Sequence, residues 1–283
     1  MSRIAYVNGA YVPTSDAFVH INDRGYQFAD GVYEGVTVRK GEMIDLEPHL
    51  DRLWRSMGEL KMEEPMARAP MRLVFKELIR RNRISDGFLY IQVTRGEAVR
   101  DHAFPAFSVP SFVATCRRLD LNAVQARAQK GVAAATQPDL RWGRCDVKST
   151  SLLPNILAKQ AAKETGAFEA VLVDENGYVT EGSSTNMWIV TKDGKLKTRP
   201  TNDNILAGIT RARVKSLAEG LQITIDETAF TVEEALEAKE MFLTSSTSCA
   251  TPIVALDGKT IGDGTPGPVA KRLVDAYFDF MDA

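Results

Sequence analysis

The sequence predicts a two-domain α+β fold, and three observations predict it. The chain has 283 residues, a length that suits one large or two medium domains. Its first half reads as strands, then helices, then strands, which indicates a small N-terminal α/β domain over 1–118. Its second half has a dense run of strands with flanking helices, which indicates a larger β-rich domain over 124–283. Patterning weakens between the halves, and the linker is placed at 119–123.

The N-terminal domain opens with a hairpin signal, an Asn8-Gly9 turn between alternating apolar residues. The stretch GVYEGVTVRKGEMIDL predicts a second hairpin that turns near Lys40-Gly41. Apolar residues at helical spacing predict helices over about 47–60 and 66–83. The stretches GFLYIQVTRGE and SFVATCRRL then predict two strands.

The C-terminal domain begins with the strand-like VAAAT, and Pro154 in the first turn predicts a helix in LLPNILAKQAAKETG. Turns at Asn176-Gly177 and Asp193-Gly194 divide the β region that follows. Three more helices are predicted: about 208–219 with Gly220 at its end, one that starts at Thr231 with a Thr231–Glu234 capping box, and about 266–281.

Composition and charge exclude several classes of function. The net charge of −2 offers no electrostatic attraction to nucleic acid or to an anionic membrane. The three cysteines are scattered along the chain, which argues against a disulfide framework and favours a reducing compartment. No signal peptide is visible, and no apolar run approaches the roughly 20 residues of a membrane span. We therefore expect a cytoplasmic protein without a nucleic-acid or membrane partner.

Several common motifs of catalysis are absent. The stretch DGKT at 257–260 resembles the end of a phosphate loop, but Ile253 stands where the first glycine of that motif belongs. Neither GxGxxG nor GxSxG occurs. The histidines His20, His49 and His102 lack the spacing of metal ligands, so no metal site is expected.

Candidate sites for anions and protons are scattered along the chain, and each has a plainer alternative. Lys148 is predicted where a strand gives way to a loop, a common place for chemistry and also for a solvated charge. Gly208 precedes a helix whose first-turn amides, at Ile209 and Thr210, could bind phosphate or form an ordinary cap. The hydroxyl-rich TSSTS at 244–248 is either a phosphate rim or a polar loop.

Three further positions carry charges that suit recognition of anions or of a ligand nitrogen. Glu181 could hold a proton on a ligand nitrogen, or be an exposed acid in a hairpin. Arg52 could reach a phosphate with its guanidinium fork, or lie on a solvated helix face. Arg100 and His102 leave the same face of an extended segment, which suits a clamp for a carboxylate.

Taken together and in this order, eight stretches resemble the class IV (fold type IV) pyridoxal-phosphate aminotransferases, and within them the D-amino-acid branch most of all. The stretches cover nearly the whole chain: DRGYQFADGVYE, HLDRL, YIQVTRG, RDHAFP, RCDVKS, TEGSSTN, ILAGITR and TSSTS.

The resemblance implies a pyridoxal 5'-phosphate cofactor and a role for each candidate. Lys148 would form the Schiff base and move the proton, and Glu181 would face the pyridine nitrogen with support from Ser184. Tyr33, Arg100 and His102 would bind the substrate carboxylate, the last two from the neighbouring subunit of a homodimer. The phosphate and the ring face would be held by Arg52, the amides of Ile209 and Thr210, Ser246 and Leu206.

The implied reaction moves an amino group between D-amino acids, such as D-alanine or D-glutamate, and 2-oxo acids. Two positions depart from the family pattern: Ala29 replaces a glycine, and Gly35 replaces a larger aliphatic residue, which predicts a roomier side-chain pocket. The stretch LLPNILAKQ also resembles the branched-chain branch. The alternatives are a branched-chain L-amino-acid aminotransferase, an (R)-amine transaminase, an aminodeoxychorismate lyase and a non-enzymatic binding protein on the same scaffold.

Overall fold

The computed structural model describes residues 3–202 and 204–283. The chain folds as two compact units. The first contains the residues up to Asp120 together with Val147–Ser151, and the second contains Leu121–Asp146 and Leu152–Ala283. The segment that carries Lys148 therefore belongs to the first unit, although the chain on both sides of it belongs to the second.

An antiparallel sheet forms the first unit, and its strand order is β2-β1-β6-β5-β3-β4. Its opening hairpin turns where Asn8 has φ 45° and Gly9 has φ 99°, the left-handed conformations that a tight hairpin turn needs. The elements are β1 (Ile4–Val7), β2 (Ala10–Pro13), a 3₁₀ turn (Thr14–Asp16), α1 (Arg24–Phe28), β3 (Gly31–Arg39), β4 (Glu42–Met43), α2 (Leu46–Glu59), α3 (Arg68–Asn82), β5 (Gly87–Thr94) and β6 (Ser111–Arg118).

The two faces of this sheet differ in character, because successive side chains of a strand point to opposite faces. On β3, Val32, Val36 and Val38 belong to the hydrophobic core that α2 and α3 cover. Tyr33 lies on the opposite face and packs against Tyr90 of β5, with ring centroids 5.7 Å apart. β3 thus carries core residues on one side and half-buried aromatic contacts on the other.

The second unit has a mixed sheet with the order β12-β11-β10-β13-β14-β7-β8-β9, and β15 pairs with β14. Strands β14, β7 and β8 run parallel to one another, while β10, β13 and β14 are antiparallel neighbours. The elements are α4 (Leu121–Lys130), β7 (Val132–Pro138), α5 (Leu153–Glu164), β8 (Glu169–Val173), β9 (Val179–Gly182), β10 (Asn186–Val190), β11 (Leu196–Lys197), α6 (Ile209–Gly220), β12 (Ile225–Asp226), α7 (Val232–Glu237), β13 (Glu240–Ser245), β14 (Cys249–Leu256), β15 (Lys259–Thr260) and α8 (Pro268–Asp282).

The α+β class predicted from the sequence is confirmed, as are both hairpins and the helices predicted near α2, α3, α5, α6, α7 and α8. Both hydrogen bonds of the Thr231–Glu234 capping box are present. Two helices were not predicted, α1 and α4. α4 begins at Leu121, inside the stretch 119–123 that the sequence assigned to a linker, and the first unit ends at Asp120.

The strand predicted to end at Lys148 is wrong. Residues 145–147 form a turn, in which the Cys145 thiol lies 3.1 Å from the carbonyl of Trp142. Only Ser149 pairs with a strand, as an isolated bridge to Val32. Turn chemistry thus overrode the alternation of β-favouring residues. In the described ranges, 3–202 and 204–283, no helix is long and apolar enough to cross a membrane.

Candidate active site

Lys148 lies on an irregular segment that is held at its backbone from two sides. The amide of Tyr33 donates to the carbonyl of Lys148 at 3.0 Å, and the amide of Lys148 donates to the hydroxyl of Ser56 at 3.3 Å. Its Nζ lies 4.2 Å from the centroid of the Tyr33 ring. An aromatic face attracts an ammonium group, so the base and the tip of the side chain are both positioned.

Arg52 is buried on α2 and forms a two-pronged ion pair with Glu34 of β3. Its Nε and Nη2 lie 2.7 and 2.9 Å from the two carboxylate oxygens, and Nδ1 of His49 lies 2.7 Å from one of them. Burial acts to raise the pKa of Glu34, but the charge and hydrogen bonds of Arg52, with those of His49, lower it overall. The guanidinium of Arg52 therefore has a fixed direction, one helical turn before Ser56.

Arg100 and His102 lie on the connection 95–110, between β5 and β6. Both side chains are exposed, and both pack on Phe28. The guanidinium carbon of Arg100 lies 4.7 Å from the centroid of the Phe28 ring, and the imidazole centroid of His102 lies 5.5 Å from it. The structure thus brings Arg100 and His102 to one aromatic side chain, and groups Tyr33 with Lys148.

Glu181, in the second unit, is buried and held by donors from three directions. Asn186 donates through Nδ2 at 3.0 Å, the amide of Leu206 donates at 3.1 Å, and Arg141 pairs with the other carboxylate oxygen. Arg141 also pairs with Asp139 at 2.7 Å. Burial acts to lower the pKa of Arg141, but Asp139 and Glu181 raise it overall. A carboxylate with this partner stays ionised, and it can stabilise a protonated ligand nitrogen.

Asn186 connects Glu181 to the start of α6. Its Nδ2 donates to the carbonyl of Leu206 at 3.0 Å, and its Oδ1 lies 2.0 Å from the position that a Cβ on Gly208 would take. Glycine is required there because any side chain would displace Asn186. α6 begins at Ile209, and Gly208 supplies no side chain to the first-turn amides of Ile209 and Thr210. Amides at such a helix start bind anions.

Two predicted site residues lie in turns. Ser184 is exposed in the bend between β9 and β10, and Ser246 is half-buried in the turn between β13 and β14. Asn186 pairs with Thr244 across β10 and β13, so the Ser246 turn follows the strand that adjoins Asn186. The second unit therefore collects Glu181, Leu206, Ile209, Thr210 and Ser246 around elements that Asn186 joins.

The sequence model of the family described as "Amino-transferase class IV" matches residues 31–256. The chain belongs to the class IV aminotransferases. It is 41% identical over 269 residues to a D-alanine aminotransferase of Bacillus licheniformis, covering 95% of this chain and 94% of that protein. It is 38% identical over 279 residues to a D-alanine aminotransferase of Staphylococcus aureus strain N315, covering 98% of each.

Solved structures of other aminotransferases share the fold. The branched-chain amino acid aminotransferase of Escherichia coli superposes with a TM-score of 0.92 at 24% identity, over 99% of this chain and 95% of that one. The branched-chain amino acid aminotransferase of T.th., complexed with N-(5'-phosphopyridoxyl)-L-glutamate, has a TM-score of 0.90 at 27% identity, over 99% and 94%. The fold type IV architecture implied by the sequence resemblance is confirmed.

This aminotransferase uses residues that the sequence reasoning did not single out. Glu34 and His49 fix Arg52, and Arg141 and Asn186 fix Glu181. Glu34 and Asn186 stand inside stretches that carry the family resemblance, but their contacts join distant parts of the chain. Their presence in the motifs was the available signal. In the part of the chain that the structure describes, no three His, Cys, Asp or Glu side chains are grouped to hold a metal.

The roomier pocket predicted from Gly35 needs a correction. A Cβ built on Gly35 would lie 2.4 Å from Cζ and 2.7 Å from Cε2 of Phe88 on β5. The ring of Phe88 therefore fills the space that the missing side chain leaves. The sequence reasoning considered one strand, whereas the room beside a strand residue depends on its cross-strand neighbour as well.

Proposed function

We propose that this aminotransferase binds pyridoxal 5'-phosphate and transfers amino groups between D-amino acids, such as D-alanine and D-glutamate, and 2-oxo acids. The observation that carries the proposal is the setting of Glu181, a buried carboxylate kept ionised by Arg141 and held by Asn186 and Leu206. Such a group matches a protonated ring nitrogen. The similarity to D-alanine aminotransferases over nearly the whole chain supports the substrate hand.

The residues present fit the cofactor. When bound, pyridoxal phosphate supplies an electron sink for the electron pair that deprotonation leaves on the amino-acid α-carbon. Glu181 holds the proton on the ring nitrogen, Ser184 supports the side of the site on which Glu181 lies, and Leu206 packs on the ring face. The phosphate is bound by positive charge and by donors that carry no substrate: Arg52, the amides of Ile209 and Thr210, and Ser246.

Lys148 joins the cofactor through its amine and moves the substrate's α-proton. Both tasks need the amine to be neutral for part of the cycle. Borohydride reduction of the yellow holoenzyme followed by peptide mapping tests this role. We expect the adduct on Lys148, and an adduct on another lysine, or none, would refute the assignment. Lys148→Ala should lose orders of magnitude in rate while it still binds cofactor through the phosphate contacts.

Tyr33, Arg100 and His102 bind the substrate carboxylate. The proton is always exchanged on the face that Lys148 serves, so the hand of the substrate depends on which side receives the carboxylate. We propose that Arg100 and His102 reach the site of the neighbouring subunit in a homodimer. Exposed apolar side chains beside this clamp support such an interface: Val99 is 89% exposed and Phe107 is 82% exposed.

A second apolar surface supports the same dimer. Leu153, Ile156 and Leu157 are each 60–65% exposed and lie on one stripe of α5. Water-facing leucine and isoleucine at this spacing are typical of a helix that packs against another surface. We also expect the enzyme in the cytoplasm, because all three cysteines are free thiols, as a reducing compartment allows.

A panel of paired D and L amino donors with 2-oxoglutarate tests the substrate class. We expect faster turnover of D-alanine than of L-alanine. Faster turnover of L-leucine or L-valine would favour a branched-chain enzyme, and release of pyruvate from aminodeoxychorismate without amine transfer would favour a lyase. Turnover of (R)-1-phenylethylamine above that of D-alanine would favour an amine transaminase.

Mixed dimers test whether the clamp is shared. Arg100→Met and Lys148→Ala subunits are each defective, but a shared clamp gives the mixed dimer one site with both defects and one site with neither. We expect activity to return on mixing. Heterodimers that form without recovering activity would place the clamp and the lysine of one site within one chain.

A further inference from the structure

A cluster of three buried charges lies beside the connection that carries Arg100 and His102. Asp30 accepts from Nε of Arg24 at 2.7 Å, and from Nε and Nη2 of Arg95 at 2.8 and 3.0 Å. The side chains of Arg24, Arg95 and Asp30 are 4%, 6% and 11% exposed. Two arginines thus share one carboxylate almost out of contact with water.

The remaining donors of Arg24 bind the clamp segment itself. Its Nη1 donates to the carbonyl of Asp101 at 2.6 Å and lies 3.3 Å from that of Ala103, and Nη2 lies 3.4 Å from the carbonyl of His102. Asp101 stands between Arg100 and His102 in the sequence. The shortest of these bonds therefore fixes the backbone midway between the two clamp residues.

Side-chain contacts hold the same segment from other directions. The guanidinium carbon of Arg24 lies 4.9 Å from the centroid of the Phe28 ring, on which Arg100 and His102 also pack. The guanidinium carbon of Arg95 lies 3.7 Å from the centroid of the Phe104 ring. Arg95 also donates to the carbonyls of residues 60 and 61, at the end of α2. The cluster thus links the clamp segment to the helical layer of the first unit.

The position of Arg24 is itself fixed by the start of α1. Asp23 caps α1 by accepting from the amide of Gly25 at 2.8 Å, and it accepts from the Thr94 hydroxyl at 2.9 Å at the end of β5. The amide of Arg24 donates to the carbonyl of Gly96 at 2.9 Å. α1 is therefore joined to the strand end from which the connection 95–110 departs.

Desolvating these charges is costly unless every donor has an acceptor. Burial acts to raise the pKa of Asp30, but the hydrogen bonds and charges of Arg95 and Arg24 lower it overall. The carboxylate thus stays ionised and keeps both arginines in one orientation. A long connection without regular structure rarely has such a support, and long connections of this kind are often functional.

We propose that Arg24, with Asp30 and Arg95, is a positioning residue for the carboxylate clamp: it holds the backbone at Asp101 so that Arg100 and His102 present their side chains together. The inference rests on the clamp role in the proposed function. It gives the stretch DRGYQFAD a task, since that stretch supplies the arginine, the aromatic platform and the carboxylate that support the clamp.

Arg24→Lys in the full-length holoenzyme tests the proposal. Lysine keeps a positive charge beside Asp30 but lacks the fork that also reaches the carbonyl of Asp101. We expect KM for D-alanine to rise about tenfold with kcat within about twofold, because the lost bond acts on substrate binding. KM for D-alaninol, which has no carboxylate, should not change. Hydrogen exchange in peptides covering 98–105 should become about tenfold faster.

Arg72→Lys is the matched control, because Arg72 also forms a two-pronged pair, with Glu47, but on the exposed surface of α3. It should change neither KM nor exchange at 98–105. An Arg24→Lys enzyme with native KM for D-alanine, an equal rise for D-alaninol, or native exchange at 98–105 would overturn the inference. Arg24→Met, which removes the charge as well, should show the larger effect, and Arg24→Lys decides the outcome if Arg24→Met does not fold.

Arg100→Met separates this inference from the proposed function. If Arg100→Met raises KM for D-alanine while Arg24→Lys does not, the clamp stands and the positioning role fails. If Arg100→Met leaves D-alanine kinetics unchanged, the clamp role fails, and the positioning role fails with it.

Discussion

Replacing Arg141 by methionine should destabilise the second unit more strongly at neutral pH than in acid. The substitution leaves the two carboxylates that Arg141 bridges, Asp139 and Glu181, buried without their cation. Their side chains are 12% and 8% exposed, so solvent screening compensates little. Removing one partner of a buried ion pair typically costs about 3–5 kcal/mol. For a unit of this size, that corresponds to a melting temperature lower by about 6–20 °C.

The pH dependence follows from the sign of the shifts. In the native protein, burial acts to raise the pKa of Asp139, but the hydrogen bonds and charge of Arg141 lower it overall. The pairing therefore stabilises the fold above the unfolded pKa of about 3.9, and this contribution is lost as the pH falls through the folded value. Without Arg141, burial raises the pKa of Asp139 above its unfolded value. The penalty is then largest at neutral pH and shrinks as Asp139 becomes protonated.

Thermal unfolding followed by circular dichroism at pH 8 and pH 5 measures both effects. Arg144→Met is the control, because Arg144 pairs with Asp146 by two bonds of 2.9 and 3.0 Å but is 42% exposed. Exposed pairs contribute about 0–1 kcal/mol, so this variant should melt within a few degrees of the native protein. Equal melting of Arg141→Met and Arg144→Met, or a larger loss for Arg141→Met at pH 5 than at pH 8, would refute the reasoning.

Three further predictions concern the cofactor, the sheet face and the thiols. Glu181→Gln should bind the cofactor, as followed by absorbance, but lose about 3 kcal/mol of transition-state stabilisation, which is over a hundredfold in rate; near-native turnover would contradict the assignment. Gly35→Val should cost about 1–3 kcal/mol by denaturant unfolding, because it clashes with Phe88, and adding Phe88→Ala should restore stability; an additive loss would contradict this. Burial raises the pKa of the Cys145 thiol to about 11, so a disulfide reagent at pH 8 should modify it far more slowly than it modifies the unfolded chain, and equal rates would contradict this.

Local signals predicted most of the regular elements, since each such signal lies within a few residues. Asn8-Gly9 fixed the first hairpin, and the Thr231–Glu234 capping box fixed the start of α7. α4 escaped because its buried face is made of Leu121, Val124 and Ala128, and an alanine adds little to an apolar stripe. The turn at 145–147 escaped because its hydrogen bonds compete with strand pairing that would need a partner elsewhere in the chain.

The site was predicted residue by residue only where the family motifs supplied the role. Tyr33, Lys148 and Glu181 stand in those motifs, but nothing local indicates that Lys148 pairs with β3 or that Glu181 needs Arg141. Arg141 precedes the motif around Lys148 and reads as one more charged loop residue. Its burial and its two carboxylate partners arise from the tertiary fold, which single-sequence patterns do not contain.

The assignment of Val147–Ser151 to the first unit has a consequence for synthesis on the ribosome. The bridge between Val32 and Ser149, and the bond from the amide of Tyr33 to the carbonyl of Lys148, need residues far beyond Asp120. At roughly 5–20 residues per second, translation from residue 120 to residue 151 takes about 2–6 s. During that time the emerging first unit has β3 without these partners. An N-terminal fragment ending at residue 120 would keep that gap permanently, so the reactive lysine and the tyrosine beside it cannot be exchanged between relatives by a single crossover at the boundary.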